Sequence, residues 1–243
     1  MIDGKSVLAV IPARGGSKGI KDKNIIDLCG KPLIAYSVIA GRESAYIDSV
    51  VVTTDSDRIA KAALEYGAEV PFKRPDELAS DTAKSLDVIL HAVRWLKERG
   101  RIYDIVVLLQ PTQPLRTAAD IDGALEKYMS EGMRPLISVT EAEESPVLMR
   151  TVNENGLLEK VLDMDCSLRR QDMRAYYIID GSIYINAAAE LDEDTNFGDN
   201  PVPYFMPRER SVDIDEYKDL EKAAEYLLRT SKEYDNILKE YKI

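Results

Sequence analysis

The chain has 243 residues, of which 45% are hydrophobic and 31% are charged, and its formal net charge at pH 7 is −11. This length suits one large domain, and the acidic balance argues against general binding to nucleic acid or to an anionic membrane, because both need a basic surface. The first apolar run is too short for a signal peptide and no run approaches the ~20 residues of a membrane span, so we expect a cytoplasmic protein.

Up to residue 140, apolar runs alternate with segments of helical spacing. Strands are predicted at 6–11, 49–54, 69–72, 102–109 and 136–140. Helices are predicted after Pro32, at 55–66, from 81 until Gly100, and at 120–130. This alternation is typical of an α/β protein, and it predicts a mainly parallel central sheet flanked by helices.

From residue 141 the alternation breaks. A hairpin is predicted from 146–152 and 157–162, with Gly156 in its turn. Strand character then returns at 176–179 and 182–185, and a last helix is predicted at 217–241. We therefore expect one domain over residues 1–243, with 141–174 as an appendage or an oligomer contact.

A loop rich in glycine and cations follows the first strand. Gly15, Gly16 and Gly19 would let backbone N–H groups approach an anion, and Arg14, Lys18 and Lys23 would supply charge. Ligands of open parallel sheets bind at the carboxyl ends of the strands, where this loop lies. The pattern matches neither the Walker A loop nor the dinucleotide fingerprint. It predicts a small anionic ligand, with a solvated surface turn as the alternative.

Two carboxylates near the C-terminus form a second candidate site. Asp213 and Asp215 are separated by one residue, so in an extended segment both point the same way and can hold a hard divalent cation. Such a cation could bridge to the phosphates of a ligand. The alternative is that Asp215 caps the last helix.

Residue types that carry zinc or covalent chemistry are scarce. His91 is the only histidine, which argues against a histidine metal site and a Ser-His-Asp triad. Cys29 and Cys166 have no metal-ligand spacing, and we expect both to be reduced and structural.

Five segments together resemble the CMP-acylneuraminate (CMP-sialic acid) synthetases. In order they are IPARGGSKG followed by Lys23-Asn24, Arg74-Pro75, LQPTQPLR at 109–116, Arg170-Gln171, and Asp213-Ile214-Asp215. The resemblance spans nearly the whole chain. It implies a Rossmann-like core and transfer of a cytidylyl group from CTP to an acidic nine-carbon α-keto sugar of the sialic, legionaminic or pseudaminic acid type, with release of pyrophosphate.

The resemblance also implies roles for individual residues. The CTP-binding set is Ala13, Arg14, Gly15, Gly16, Ser17, Lys18, Lys23, Asn24, Arg74 and Ser85. The catalytic set is Arg14, Lys23, Asp213 and Asp215, and the two aspartates would bind Mg²⁺. The sugar-binding set is Gln110, Arg170, Gln171, Tyr184 and Phe197. For Tyr184 a place in the core is the alternative, and for Arg170 a place on the surface.

Three positions depart from the family pattern, and all concern the sugar half of the reaction. Gln113 stands where the motif often has Ser, Asp180 stands where Asn is usual, and a second aromatic residue beside Phe197 is missing. The departures leave open which acidic sugar is used.

The resemblance and the break after residue 141 together predict a homodimer in which 141–174 reaches the partner subunit. A hairpin packed on its own subunit is the alternative. Three other functions also stay open: a cytidylyltransferase for the eight-carbon sugar KDO, a metal-dependent glycosyltransferase, and a non-catalytic nucleotide-binding module.

Overall fold

The structure is a computed structural model that describes residues 1–17, 19–164 and 174–230. The strands are β1 Val7–Pro12, β2 Asp27–Leu28, β3 Lys31–Pro32, β4 Ser49–Thr53, β5 Ile105–Leu108, β6 Leu136–Glu141, β7 Arg150–Val152, β8 Leu158–Lys160, β9 Tyr177–Ala187 and β10 Val202–Phe205. The helices are α1 Leu33–Glu43, α2 Asp57–Glu65, α3 Ser85–Lys97, α4 Ala118–Ser130 and α5 Tyr217–Thr230.

A six-stranded sheet in the order β10-β6-β9-β5-β1-β4 forms the centre of the protein. Strand β1 pairs in parallel with β4 and β5, and β6 pairs in parallel with β10. Only β9 runs the other way, antiparallel to both β5 and β6. Strands β1, β4, β5, β6 and β10 therefore end at the same edge of the sheet, which is where ligands of such folds bind.

Helices cover both faces of the sheet. Successive side chains of β1 point to opposite faces, so that Ala9 and Ile11 pack with α1, α2 and α4, while Leu8 and Val10 pack with α3. Strands buried on both faces read as continuous apolar runs, which explains why the sequence predicts these strands well. The α/β prediction is confirmed.

A third apolar cluster joins the two ends of the chain. Ile20, from the loop after β1, packs in one cluster with Leu33 of α1, with Ile214 from the segment before α5, and with Leu220 of α5. Ile20 and Ile214 are fully buried. This cluster brings the cationic loop and the Asp213–Asp215 segment to the same place.

In the central sheet, the structure differs from the predicted elements in three places. Residues 69–72 form no strand and contribute a single bridge, Val51 to Glu69. The two predicted strands at 176–179 and 182–185 are one strand, β9, whose pairing with β6 shifts register opposite Ile137–Val139. Strand β10 was not predicted, whereas α5 confirms the last helix as far as Thr230.

The predicted hairpin is present as β7 and β8, which pair antiparallel from Arg150–Lys160 to Val152–Leu158. Gly156 has φ 76° in the turn, a conformation that glycine adopts without strain. The remainder of the predicted appendage, 165–173, lies outside the described residues. Across 1–17, 19–164 and 174–230, none of the helices combines the length and hydropathy that crossing a bilayer requires.

Candidate active site

A cleft of about 410 Å³ opens where β1, β4 and β5 end. Its lining includes Arg14, Ser17, Lys23, Arg74, Ser85 and Asp215. Gln110 also lines it, from the loop that follows β5. The cleft thus gathers residues predicted for the CTP, for the metal and for the sugar.

The cationic loop is held in shape by polar contacts with its surroundings. The Gly15 N–H donates to Asp55 Oδ1 at 2.9 Å, and Asn24 Nδ2 donates to the carbonyl oxygen of Arg14 at 2.9 Å. Asn24 is buried, and its Oδ1 has no hydrogen-bond partner. The Ala13 N–H donates to the Thr53 carbonyl at 3.0 Å, which ties the start of the loop to β4.

Gly19 sets the distance between this loop and the C-terminal acidic segment. A Cβ atom at Gly19 would lie 2.6 Å from the Asp215 carbonyl oxygen. On the other side of that segment, the Ile214 N–H donates to the Thr112 carbonyl at 2.9 Å. The backbone of 214–215 is therefore fixed between the loop after β1 and the loop after β5.

Lys23 links the cationic and acidic parts of the cleft. Its Nζ donates to the Ile214 carbonyl at 2.7 Å and to Asp215 Oδ1 at 2.9 Å. The Lys23 side chain is 15% exposed and that of Asp215 is 74% exposed. The ammonium group is thus oriented by the segment that carries the two carboxylates, and Asp215 faces the opening.

Desolvation raises the pKa of the Asp213 carboxyl, and the negative charge of Asp215 raises it further. A hydrogen bond from Thr112 and the charge of Lys23 act in the opposite direction. A carboxyl whose ionisation is disfavoured by burial and by a neighbouring negative charge suits a hard cation, because the cation offsets both effects. Within the described residues, no group of three or more potential ligands to a metal is found.

The Asp215 carboxylate accepts a hydrogen bond from Lys23, and among the described residues no hydrogen bond to it from the backbone of α5 is found. Asp219 Oδ2 accepts hydrogen bonds from the N–H groups of Asp215 and Glu216, at 3.2 and 2.9 Å. Asp219 therefore satisfies the backbone at the start of α5. The Asp215 carboxylate is left to face Lys23 and the cleft.

Two arginines form the opposite wall. Arg74 is buried, and its guanidinium donates to both the hydroxyl and the carbonyl of Thr53. Burial lowers the pKa of Arg74 to about 10, the positive charge of Arg14 lowers it as well, and Asp55 raises it. Arg74 is thus protonated at neutral pH and rigidly held.

Arg14 reaches across the mouth of the cleft. Its Nη1 donates to the Ser80 carbonyl at 3.0 Å and pairs with Asp81 Oδ1 at 2.8 Å. The Arg14 and Asp81 side chains are 32% and 46% exposed, so water screens this ion pair and it contributes little to stability. An anionic ligand can therefore compete for the Arg14 guanidinium at small cost.

The residues predicted for the sugar lie at the end of the cleft beside β9. Gln110 Nε2 donates to the Tyr184 hydroxyl at 3.5 Å. Tyr184 packs edge-on against Phe197 with ring centroids 5.8 Å apart, and both side chains belong to the cluster beneath α3. Burial raises the pKa of Tyr184 to about 12. Tyr184 therefore has its ring in the core and its hydroxyl beside Gln110.

Three predicted site residues, Lys18, Arg170 and Gln171, lie outside the described residues. Some described residues of the predicted sets do not line the cleft, namely Ala13, Gly15, Gly16, Tyr184, Phe197 and Asp213. Two positions that depart from the family pattern, Gln113 and Asp180, are not in the lining either. Both are buried. The Asp180 carboxylate accepts hydrogen bonds from Ser138 and Ser182, so it does not face an anionic sugar directly.

Asp55 and the Arg14 contacts with Ser80 and Asp81 were not predicted from the sequence. Asp55 comes directly after β4, and the rule that parallel strands end at one edge could have found it. No sequence signal marks Asp81, because it lies in an irregular segment between Arg74 and α3.

Sequence comparison with known proteins identifies the family of this chain. The cytidylyltransferase family model matches residues 8–241. The chain is 37% identical over 215 residues to the pseudaminic acid cytidylyltransferase of Campylobacter jejuni, covering 88% of this chain and 93% of that protein. It is 35% identical over 212 residues to the CMP-N,N'-diacetyllegionaminic acid synthase of Legionella pneumophila, covering 86% and 90%.

A third relative is the N-acylneuraminate cytidylyltransferase of Escherichia coli, at 36% identity over 219 residues, covering 89% of this chain and 51% of that protein. Among solved structures, a CMP:2-keto-3-deoxy-manno-octonic acid synthetase complexed with CTP has the same fold, with TM-score 0.68, 19% identity, and coverage of 93% of this chain and 100% of that one. The extent of the family match and the identities to these relatives show that the chain belongs to the cytidylyltransferase family.

Proposed function

We propose that the protein transfers the cytidylyl group of CTP to an acidic nine-carbon α-keto sugar of the sialic, legionaminic or pseudaminic acid type. The observation that carries the proposal is that the Lys23 ammonium donates to the Ile214 carbonyl and to Asp215 within one cleft. This contact joins a loop suited to binding phosphate to the segment whose carboxylates are suited to binding a metal ion. Relatives named for each of these three sugars match most of this chain.

The nucleotide half of the cleft suits a triphosphate and a base. Arg14, Ser17 and Lys23 line this half of the cleft, and the two cationic side chains can bind phosphate oxygens. Arg74 also lines the cleft, and both Arg74 and the Ala13 N–H donate to Thr53 at the end of β4. The guanidinium held in this way would donate to the cytosine. Ser85 begins α3, so the N-terminal end of that helix can favour the negative charge of the ribose-phosphate end. Lys18, Gly15, Gly16 and Asn24 complete the predicted set.

The transfer needs no covalent enzyme intermediate. The anomeric oxygen of the sugar attacks the α-phosphorus, the bond between that phosphorus and the bridging oxygen breaks, and pyrophosphate leaves with the electron pair. The proton of the anomeric hydroxyl passes to a carboxylate of the acidic pair or to water. Lys23 and Arg14 would stabilise the charge that spreads over the α-phosphate and the leaving group, so positioning and electrostatics supply most of the rate.

Mg²⁺ is the metal that the donor set suits. Asp213 and Asp215 offer hard carboxylate oxygens, and burial followed by the charge of Asp215 raises the pKa of Asp213, a cost that a bound cation would offset. When bound, the ion would neutralise phosphate oxygens of the nucleotide. Lys23 would keep Asp215 oriented towards the phosphates.

The sugar half is built around Gln110. Its side-chain amide would hydrogen-bond the sugar hydroxyls, while Tyr184 and Phe197 support it from the core side. Arg170 and Gln171 are proposed to reach the sugar carboxylate, because a guanidinium pairs with a carboxylate through two hydrogen bonds.

The appendage is proposed to dock on a second copy of the chain. An isolated two-stranded hairpin is marginally stable in water, and the apolar side chains of β7–β8 are left uncovered, with Leu158 72% exposed. Ile178 and Phe205, near the same end of the sheet, are exposed as well. Contiguous exposed apolar residues mark a protein–protein contact. A homodimer in which these surfaces meet would cover them.

A cytoplasmic location fits the remaining features. CTP and Mg²⁺ are both present there, and Cys29 is a free, exposed cysteine that a reducing compartment would keep as a thiol.

One assay tests the function and its rivals together. The protein is incubated with CTP, Mg²⁺ and a panel of acidic α-keto sugars, and pyrophosphate release is followed. We expect the highest kcat/KM with a nine-carbon sugar. Turnover with the eight-carbon sugar alone would replace the proposed substrate class. Turnover only with a sugar nucleotide as donor would indicate a glycosyltransferase, and CTP binding without turnover of any sugar would indicate a binding module.

A further inference from the structure

The two motif departures at Gln113 and Asp180 are in direct contact, although they are 67 residues apart in the chain. Gln113 Nε2 donates to the backbone carbonyl of Asp180. Ser182 Oγ lies 3.4 Å from Gln113 Oε1 and donates to Asp180 Oδ2 at 2.7 Å. Gln113, Asp180 and Ser182 are all buried. The two departures therefore belong to one polar network beneath the sugar end of the cleft.

This network holds a bulge in β9. Between Asp180 and Ser182, Gly181 has φ 78°, and the pairing of β9 with β6 shifts register at this level. The Asp180 carboxylate fixes the bulge from inside, because Oδ1 accepts hydrogen bonds from the Ser182 N–H, at 3.1 Å, and from Ser138 Oγ.

The bulge lies next to the Gln110 side chain. A Cβ atom on Gly181 would lie 3.5 Å from both Gln110 Oε1 and Gln113 Nε2, which is ordinary van der Waals contact. The Gln110 amide therefore lies about one methyl group away from the backbone that Gln113 and Asp180 hold. A shift of the bulge changes the space that is open to this amide.

Arg116 connects the same network to the backbone of Gln110. The buried Arg116 guanidinium donates to the carbonyls of Ser182, at 2.8 Å, and Gln110, at 3.4 Å. Burial lowers the pKa of Arg116 to about 10, and the charges of Asp180 and Asp120 oppose that shift. An aspartate at 180 thus supplies negative charge near a fully buried cation, which an asparagine would not do.

We propose that Gln113 and Asp180 are coupled positioning residues that set the orientation of Gln110 and thereby the affinity and selectivity for the sugar. The inference rests on the proposed function, because it assigns Gln110 to the sugar. A serine at 113 is too short to reach the Asp180 carbonyl, so it leaves a buried acceptor unpaired and a space beneath the bulge. The nucleotide end of the cleft contains neither residue.

The test compares Gln113→Ser, Asp180→Asn and the double variant, with KM measured separately for the sugar and for CTP. We expect each single change to raise the KM for the sugar about tenfold, because a buried polar group that is displaced or loses its partner weakens binding by about a factor of ten. The KM for CTP stays within twofold. The double variant loses little more than the worse single variant, because both changes act on one bulge.

Asn186→Ser is the matched control. Asn186 is a buried polar residue on the same strand, at the end away from the bulge, where it exchanges hydrogen bonds with Asn200. This variant should lower Tm to a similar degree and leave both KM values and the ranking of sugars unchanged.

Outcomes for this inference and for the function itself can be told apart. Wild-type protein that releases no pyrophosphate with any sugar overturns the proposed function. Active wild-type protein with an unchanged sugar KM in all three variants overturns the positioning role alone. Equal rises in the KM for CTP and for sugar, or the same rise in Asn186→Ser, would show a general loss of structure instead.

Discussion

Replacing Gly19 by alanine tests whether the loop and the acidic segment must keep their present distance. The added Cβ would lie 2.6 Å from the Asp215 carbonyl oxygen, whereas ordinary contacts begin at 3.4 Å. The backbone of Asp215 or the loop must therefore move by about 0.8 Å, the difference between these two distances. A displacement near 1 Å at a catalytic group costs roughly 10²-fold in rate, so Gly19→Ala should lower kcat by about that factor.

The assay is pyrophosphate release at saturating CTP, Mg²⁺ and sugar, with circular dichroism and thermal unfolding to confirm the fold. Overpacking of this kind costs about 1–3 kcal/mol in unfolding free energy, which leaves a folded protein at 25 °C. Lys21→Ala is the control, because Lys21 is an exposed residue of the same loop. A folded Gly19→Ala variant with kcat within threefold of wild type would refute the claim that these two segments act as one site.

Three further predictions concern the carboxylates and the appendage. Asp215→Asn should lower kcat, measured by pyrophosphate release, by roughly 10²-fold or more, because the substitution removes a negative charge proposed to hold the cation beside the phosphates. Activity within threefold of wild type would contradict the metal role. Asp213→Asn should raise Tm at pH 7 while lowering activity, and the gain in Tm should shrink towards pH 3.8, the ordinary value of an aspartate. Because the pKa of Asp213 is raised in the folded state, protonated Asp213 stabilises the fold below pH 3.8, and this stability is lost as the pH rises through the folded-state pKa. A lower Tm for Asp213→Asn at pH 7 would contradict this prediction. Leu158→Glu should shift sedimentation from dimer to monomer, because it puts charge into the exposed apolar face, and an unchanged dimer would place the contact elsewhere.

Buried parallel strands were the most predictable part of the fold. The apolar runs of β1, β4 and β5 are continuous because helices cover both faces of these strands, and this pattern is visible in the sequence. The direction of β9 was not predictable, since the alternation of side chains is the same in parallel and antiparallel pairing. Its Asp180-Gly181 pair resembles a turn, so one bulged strand was read as two.

Edge elements were harder to predict. Strand β10 has four residues, includes Pro203 and pairs only with β6, so it carries little strand signal. Residues 69–72 include Pro71 and remain outside the sheet apart from the single bridge between Val51 and Glu69.

The candidate site was predictable as a set of residues but not as a geometry. The motifs point to Lys23 and Asp215, yet 192 residues separate them. Long-range contacts bring them together, among them the packing of Ile20 with Ile214 and the hydrogen bond from Ile214 to Thr112. The partnership of Gln113 with Asp180 likewise depends on the bulge in β9. Local sequence spacing carries no information about such long-range contacts.

The central claim is that one cleft joins CTP to an acidic sugar through the α-phosphate. Phosphorus NMR of a mixture of protein, CTP, Mg²⁺ and the preferred nine-carbon sugar tests it most directly. The account predicts equimolar appearance of a CMP-sugar phosphodiester and pyrophosphate as CTP disappears. Formation of CDP with inorganic phosphate, or CTP that persists unchanged with every nine-carbon sugar, would contradict it.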